Sequence, residues 1–481
     1  MSTTFDASSS ASASSPPSGG RLLQVLGMWF GIAAAIGNTI AAGIVRTPGE
    51  IARLLPNPWL FLGVWVLGGL YALLGASSLA ELGAAIPRSG GQYNYSRRAL
   101  GEYGGFVVGW SDWLSTCGTN AAVAIVIGEY SLALLPGLQD GSRELLVKAI
   151  AVSILMFFAI LQWRGVKWGS SVQLATAALK TGAFIILVAA CFALGGNLRE
   201  SAVSAVAPPP LPSGWLLVIG FMLALQNVIY TVDGWDGIIY FSEEVKQPGR
   251  DVPRAIFGSV FSIIGIYLLL NAAVLYVLPM SEISGNNFAL GAAANSVFGR
   301  FGDPVIRSIM IVSLLSCINA CQMFSTRTLY AMSCDRLFFP QAARVNPGGT
   351  PIVALLLSTV VGITFILGSF ERVIAMLSIF FVANYTLSYT SLFVLRRREP
   401  DMPRPYRAWG YPWTTAVALV ASAVFLIAAF GAEWRSNLPA INDLRSWWVS
   451  LSTNNSLLTV LLLVASYPLF RILKWASRSV G

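Results

Sequence analysis

Apolar residues along the chain fall into long blocks separated by short polar joints. Taking about 20 apolar residues as the length that crosses a bilayer, the blocks predict twelve spans, near 23–53, 59–86, 104–135, 144–162, 168–195, 214–242, 254–279, 304–334, 351–369, 373–395, 413–432 and 455–473. Two blocks are interrupted in the middle, at matching places in the two halves. The first runs from Gly31 through Gly37-Asn38-Thr39-Ile40-Ala41-Ala42-Gly43-Ile44 to Arg46, Pro48 and Gly49. The second runs Gln226-Asn227 through Tyr230-Thr231, then Asp233-Gly234-Trp235-Asp236-Gly237. Backbone polar groups left open in hydrocarbon cost several kcal/mol each, so non-helical chain at that depth persists only where it lines a protected cavity. Paired interruptions of this kind are the sequence pointer to a transporter's substrate site.

Composition agrees with a membrane protein. The 481 residues are 55% hydrophobic and 11% charged, with a mean hydropathy of +0.67, whereas soluble domains carry about 25% charged residues. An even number of spans puts both termini on one side. With the N-terminus cytoplasmic, inner loops and tails hold 20 of the 31 Lys and Arg residues and outer loops hold nine, which predicts both termini inside and an integral protein of the plasma (inner) membrane. The net charge of +9 then reflects inner-leaflet electrostatics rather than a nucleic-acid partner. Residues 1–22, rich in Ser, Ala and Pro with no basic region or apolar core, read as a disordered cytoplasmic tail and not a signal peptide. The five cysteines, Cys117, Cys191, Cys317, Cys321 and Cys334, all fall in predicted spans and read as small buried hydrophobes. No metal site, disulfide framework or cofactor motif is visible. Histidine is absent, so any proton coupling must use carboxylates, lysine or tyrosine.

The organisation is two halves of five spans, 23–200 and 213–398, followed by 410–475 with the last two spans. Five helices per half reverse the second half's orientation, as an inverted repeat requires. The Pro-rich joint Ala207-Pro208-Pro209-Pro210-Leu211-Pro212 separates the halves, and Met280 to Arg300 is too polar to span and predicts a short surface helix or lid.

Charged groups inside spans cost about 2.5–3.5 kcal/mol each at mid-helix and are functional candidates. Asp233 and Asp236 lie in the second break and Lys180 lies halfway along span five. An opened helix offers amide donors at one half-helix N-terminus and carbonyl acceptors at the other half's C-terminus, a combination suited to a zwitterion. The substrate carboxylate is expected at the amides of Ala41, Ala42 and Gly43, and its ammonium at carbonyls near Ile36 to Ile40 and Tyr230 to Val232. Ile40, Ile44, Thr231 and Gly234 complete the two broken segments. Tyr230 and Trp235 are candidates for an aromatic gate. Asn120, Ser316 and Asn319 are polar mid-span candidates. The alternatives are glycines that merely pack, Asp233 or Asp236 paired with Lys180 or Arg46, and Arg46 reaching the interface with Glu50. Asp112 and Glu81 are expected to pair with Arg97, Arg98 or Arg88 at cytoplasmic span ends. Glu129 is placed near the outer rim without a role.

These residues resemble the amino acid–polyamine–organocation superfamily of permeases, most closely its L-type amino acid transporter branch and bacterial relatives. The similarity runs from about Leu23 to Trp413. It includes Ala80-Glu81-Leu82-Gly83 with Pro87-Arg88-Ser89-Gly90-Gly91-Gln92-Tyr93, and Asp233-Gly234-Trp235-Asp236 followed by Glu243-Glu244, Lys246 and Pro248. It continues with Arg327 to Tyr330, Asn346 to Pro351, Leu395 to Arg398 and Arg404-Pro405-Tyr406-Arg407. The resemblance implies an all-α membrane protein, with twelve transmembrane helices in a five-plus-five inverted repeat (LeuT-like) whose helices 1 and 6 are broken. It also implies alternating access to a midplane site. The family's first break usually reads Gly-Ser-Gly. Here Ala41-Ala42-Gly43 keeps the amides and loses the hydroxyl. In some members a lysine matching Lys180 occupies the place of a sodium ion used by more distant relatives, so Lys180 is expected to be a built-in cation that couples transport to protons. Many L-type members carry asparagine at Asp236, whereas some proton-linked or cation-recognising relatives carry an acid at or near this place; the resemblance therefore makes Asp236 a candidate for ion or proton coupling beside Lys180, and with Asp233 it suits a basic side chain or a polyamine.

The resulting expectation is a secondary active, sodium-independent amino acid transporter, exchanger or proton symporter, with a polyamine or amine carrier as the alternative. Its partners are the small-molecule substrate, protons and the lipid bilayer; an accessory subunit is left open. A membrane-embedded enzyme lacks a nucleophile–base pair or metal cluster, and a channel lacks a repeated filter.

Overall fold

The computed structural model describes residues 22–41, 43–134, 140–195, 210–367, 370–436 and 455–479; the expected tail 1–22 lies outside them except for Leu22, as does the first half of the Pro-rich joint, 207–209. Among the described residues the chain is helical, with two isolated β-bridges and no strand. The first predicted span is two helices, α1 (Met28–Thr39) and α2 (Gly43–Leu54), bent by 52° at the break between them. Next come α3 (Pro58–Ala85), α4 (Gln92–Ala133), α5 (Asp140–Trp163) and α6 (Val166–Leu194). The second interrupted block is α7 (Trp215–Val232), a non-helical turn and the 3-10 segment Gly237–Phe241. The order closes with α8 (Pro248–Val277), α9 (Met280–Ile283), α10 (Ala289–Phe298), α11 (Gly302–Cys334), α12 (Ile352–Ile366), α13 (Phe370–Arg398), α14 (Trp413–Ser436) and α15 (Asn455–Ser479). Among the described residues six helices are long and apolar enough to cross a membrane, seven if the bent α1–α2 pair counts as one span. Ile352–Ile366 and Trp413–Ile427 are shorter apolar helices.

Local sequence explains the element boundaries. Asn57 caps α3, its side chain accepting the Trp59 and Leu60 amides at 2.9 and 3.2 Å, and Pro58 sits where a helix needs no amide donor. Inside α4, Gly101 adopts φ +85°, a conformation open to glycine at little cost, and divides a short arm from a long one. Met280 to Arg300 forms α9 and α10 rather than a span, as its polarity predicts. This segment packs on α2, where the Gly285 amide donates to the mid-helix Gly49 carbonyl at 2.9 Å.

The broken α1 packs against α6, α8 and α11, and α4 packs chiefly on α11 and α13. The two interruptions therefore face each other inside the bundle. They are also tied outside it, where Leu26 pairs with Val245: the Leu26 amide donates to the Glu244 carbonyl at 3.0 Å and the Lys246 amide to the Leu26 carbonyl at 3.1 Å.

The end of the bundle rich in arginine is closed by ion pairs, with partners other than those expected. Glu81 accepts from Arg396 at 2.8 Å and from the Ala408 amide at 2.7 Å, and forms an ion pair with Arg404 at 3.0 Å. Arg88 and Arg97 both reach Asp335, which also takes the Tyr93 hydroxyl at 3.0 Å. Arg98 pairs with Glu399 and holds that carboxyl below its usual range. Glu50 pairs with Arg53, its neighbour one turn on, not with Arg46. Deepest is Arg327, whose guanidinium makes two bonds of 3.0 and 3.2 Å to Glu244 and lies 5.1 Å over the Phe241 ring, with both charged side chains at or below 1% exposure.

Removing one partner of a buried ion pair costs about 3–5 kcal/mol, whereas replacing both by apolar groups is often neutral. Glu244→Gln should lower the thermal unfolding midpoint of the detergent-solubilised protein clearly, and the double variant Glu244→Leu/Arg327→Met should recover most of the loss. A midpoint equal to wild type in Glu244→Gln would show that the pair carries no stability.

Candidate functional site

At the first break the chain leaves α1 at Ile40 (φ −77°, ψ 83°) and re-enters a helix at Gly43. The carbonyls freed there are met by side chains from three other helices. The fully buried Lys180 ammonium of α6 donates to the Gly37 and Ile40 oxygens, each at 2.9 Å, and the Ser313 hydroxyl of α11 adds a 2.5 Å bond to Ile40. Tyr267 of α8 donates to the Thr39 carbonyl at 2.8 Å and reaches the Thr231 carbonyl at 3.2 Å. Two turns before Lys180, Gln173 donates to Ala33 at 3.2 Å. A Cβ on Gly37 would stand 1.7 Å from that amide nitrogen, which accounts for the glycine by close approach.

At the second break α7 stops at Val232, Asp233 is extended (φ −60°, ψ 149°), and Gly234 turns the chain with φ +101°. A side chain at Gly234 would be strained and would place its Cβ 2.3 Å from the Asn38 side-chain nitrogen. The two breaks thus touch at Asn38 and Gly234. Beside this contact the Thr47 and Thr231 hydroxyls share a 2.7 Å hydrogen bond that joins α2 to α7.

Between the breaks lies a cavity of about 300 Å³, at the small end of the roughly 300–1,000 Å³ range of ligand sites. Its wall includes Asn38, Thr39, Ala41, Gly43, Arg46 and Thr47 from the first segment and Tyr230, Thr231, Asp233, Gly234 and Asp236 from the second. Gln92, Asp112, Thr116 and Thr119 come from α4, Cys317, Cys321 and Phe324 from α11, and Asn384 and Tyr385 from α13. Asp236 accepts from Gln92 at 3.1 Å, and Gln92 in turn accepts from Ser388 at 2.9 Å. The Tyr385 hydroxyl lies against both Asp233 and Asp236, and its ring stacks on Trp235 at 5.6 Å. Asp112 accepts the Tyr240 hydroxyl at 2.8 Å and the Thr328 hydroxyl at 3.0 Å. The floor is aromatic: Tyr240 and Phe324 stack at 4.6 Å, and Phe241 and the Arg327–Glu244 pair lie beneath. Such a site joins a helix N-terminus, which favours an anion, to three carboxylates, which favour cations. Among the described residues no three His, Cys, Asp or Glu side chains converge as metal ligands.

The family model described as "Amino acid permease" matches residues 22–461. The chain belongs to that family. Its place in the amino acid–polyamine–organocation superfamily agrees with the motifs above. The serine/threonine exchanger SteT of Bacillus subtilis (strain 168) is 28% identical over 408 residues, 83% of this chain and 90% of its own length. The b(0,+)-type amino acid transporter 1 of Mus musculus is 24% identical over 85% of this chain and 82% of its own. The polyamine transporter PUT1 of Oryza sativa subsp. japonica is 26% identical over 80% and 69%.

Of the residues singled out from the permease's sequence, Ala41, Gly43, Tyr230, Thr231, Asp233, Gly234 and Asp236 line the cavity; Ala42 lies outside the described residues. Ile40 and Ile44 are fully buried beside the break without reaching the wall. Trp235 stands behind Tyr385 rather than over the cavity, so the expected gate ring is one layer back. Asn120 is buried and off the wall. Asn319 donates to Gly169 at 2.9 Å and Gln173 at 2.8 Å and accepts from Gln162, and Ser316 accepts from Gln173 at 3.2 Å; both serve helix packing. Lys180 forms no ion pair with Asp233 or Asp236, because the break's carbonyls hold its ammonium. Those same carbonyls, expected to meet a substrate ammonium, already have protein donors. Asp112 contacts none of the arginines assigned to it.

Gln92, Asp112, Tyr240, Tyr385 and Phe324 were not among the expected wall residues. A stripe of Asp112, Thr116 and Thr119 at helical spacing on an otherwise apolar face is the signal that could have found α4. Cys317 and Cys321 are buried in the core, as expected, and also line the cavity, whereas Cys334 is exposed.

Gly234→Ala adds a Cβ at the point where the breaks meet. Ligand-induced thermal stabilisation by amino acids should be lost or weakened at least about tenfold, the equivalent of 1.4 kcal/mol. Wild-type stabilisation in this variant would remove the Asn38–Gly234 contact from the site.

Proposed function

We propose that this permease is a sodium-independent secondary active transporter that moves an amino acid across the plasma (inner) membrane by alternating access, as an exchanger or proton symporter. The observation that carries the reading is the Lys180 ammonium at 2.9 Å from the Gly37 and Ile40 carbonyls, a fixed cation at the hinge between α1 and α2. A cation held covalently at that hinge supplies the charge that a bound sodium ion would otherwise bring. Loss of its proton would remove the positive charge from the break and weaken both bonds to its carbonyls, a route from protonation to conformation in a chain without histidine.

In this reading the α1–α2 pair and α7 with its following 3-10 segment open two inverted five-helix halves, residues 23–200 and 213–398. The last two helices at 410–475 bring the spans to twelve, with both termini cytoplasmic. The α-carboxylate of the substrate lies at the N-terminus of α2 by Gly43, and its ammonium lies at Asp233 and Asp236. Similarity to a serine/threonine exchanger and to an amino acid transporter over more than four-fifths of this chain supports amino acids as cargo. The similarity to a polyamine transporter, with three carboxylates on the wall, keeps an amine carrier as the second reading.

The test is uptake of radiolabelled amino acids into proteoliposomes, with and without internal amino acid and with and without a proton gradient. Replacing sodium by choline should leave uptake unchanged; a requirement for a sodium gradient would refute the ion assignment. Lys180→Ala takes the donor from the buried Gly37 carbonyl, at about 1–3 kcal/mol, and leaves Ile40 to Ser313 alone; it should reduce flux at least about tenfold in protein that still inserts. Flux and proton coupling equal to wild type in that variant would sink the built-in cation.

A further inference from the structure

We infer that the substrate of this permease carries a second positive charge on its side chain, as arginine, lysine and ornithine do, and that Asp112 with Tyr240 and Phe324 forms the subsite that receives it. The inference rests on the amino acid transport reading and adds the chemistry of the side chain.

The charge distribution on the wall is lopsided. Asp112, Asp233 and Asp236 face a cavity of about 300 Å³, and Asp112 and Asp236 are 1% and 3% exposed. Among the described residues the hydrogen-bond partners of these carboxylates are neutral, namely hydroxyls at Asp112, the Gln92 amide and Tyr385 at Asp236, and Tyr385 with backbone at Asp233, and the wall carries one cation, Arg46, to three acids. The buried cation nearby, Lys180, is occupied by the first break. A buried carboxylate without a cation is costly, and a cationic ligand removes that cost as it binds.

One ammonium does not serve all three acids. The α-ammonium of an amino acid whose carboxylate sits at the start of α2 falls to the second break, which supplies Asp233 and Asp236 on either side of Gly234 and Trp235. Asp112 comes from a different helix and belongs to the floor. Its two hydroxyl donors, one to each oxygen, leave a lone pair on each for a planar guanidinium or an ammonium. Tyr240 donates to Asp112 and stacks on Phe324 at 4.6 Å, so one carboxylate and a stacked aromatic pair adjoin on the wall, a combination that suits a cation by charge and by ring quadrupole together. A diamine would satisfy the acids and leave the α2 N-terminus without an anion. The cavity's small volume suits one amino acid rather than a long polyamine.

The test compares arginine with citrulline, its neutral isostere, as competitors of uptake by the full-length protein in proteoliposomes. Arginine should half-inhibit at a concentration at least about tenfold lower than citrulline. In Asp112→Asn the ratio should collapse towards one, and Phe324→Leu should reduce it; this second variant leaves Asp112 and its hydroxyl donors in place should the first fail to fold. Equal potency of arginine and citrulline in wild type, with neutral amino acids still carried, overturns the inference and leaves the transport reading standing. An unchanged ratio in Asp112→Asn overturns the subsite. Putrescine competing as strongly as arginine overturns the amino acid end and makes the cargo an amine. Folded protein that carries no amino acid at all defeats the transport reading itself.

Discussion

Interrupting a helix in hydrocarbon frees carbonyls and amides that water cannot reach, and the architecture of this permease follows from having to satisfy them. The first break is held open by donors from α6, α8 and α11: Lys180, Tyr267 and Ser313. These three helices are the ones against which α1 packs, so the need for donors and the packing order are one constraint. The side of the break turned to these donors is structural. The opposite side, with Ala41, Gly43 and Thr47, is left to the cavity, so polarity is divided across a few residues of chain.

The same division separates two kinds of buried charge. Where a guanidinium and a carboxylate meet with good geometry, as in Arg327–Glu244, the pair closes the bundle. Where carboxylates meet only hydroxyls and an amide, as at Asp112 and Asp236, charge is left for a ligand to complete. The aromatic floor of Tyr240, Phe324 and Phe241 lies between the two.

Much of this was legible in the sequence because it depends on local features. Runs of apolar residues, the glycines at 37, 43 and 234 and the polar segment from Met280 to Arg300 each act within a few residues of themselves. Lys180, Asp233 and Asp236 stood out because a charge in an apolar block is costly wherever it sits. Pairing was less legible. Asp112, Glu81 and Arg88 lie close in sequence to arginines and acids that are not their partners; their true neighbours are more than 100 residues away, as with Asp112 and Tyr240. The turn at Gly101 matters here, since it lets Gln92 and Asp112, on the two arms of α4, reach one cavity. Asn319 was harder for the opposite reason: a polar group in mid-span serves a neighbouring helix as readily as a ligand, and here it bonds Gly169 and Gln173 of α6.

The bridge between Leu26 and Val245 lies outside the cavity, yet it bears on how the cavity can change shape. It joins the residues just before α1 to those just after the second break by two backbone hydrogen bonds, while Asn38 and Gly234 touch at the other end of the same two elements. Two struts fastened near both ends behave as a single lever. A tilt begun by ligand at either break is transmitted to the other by the rigidity of the frame, with no relay of side chains required.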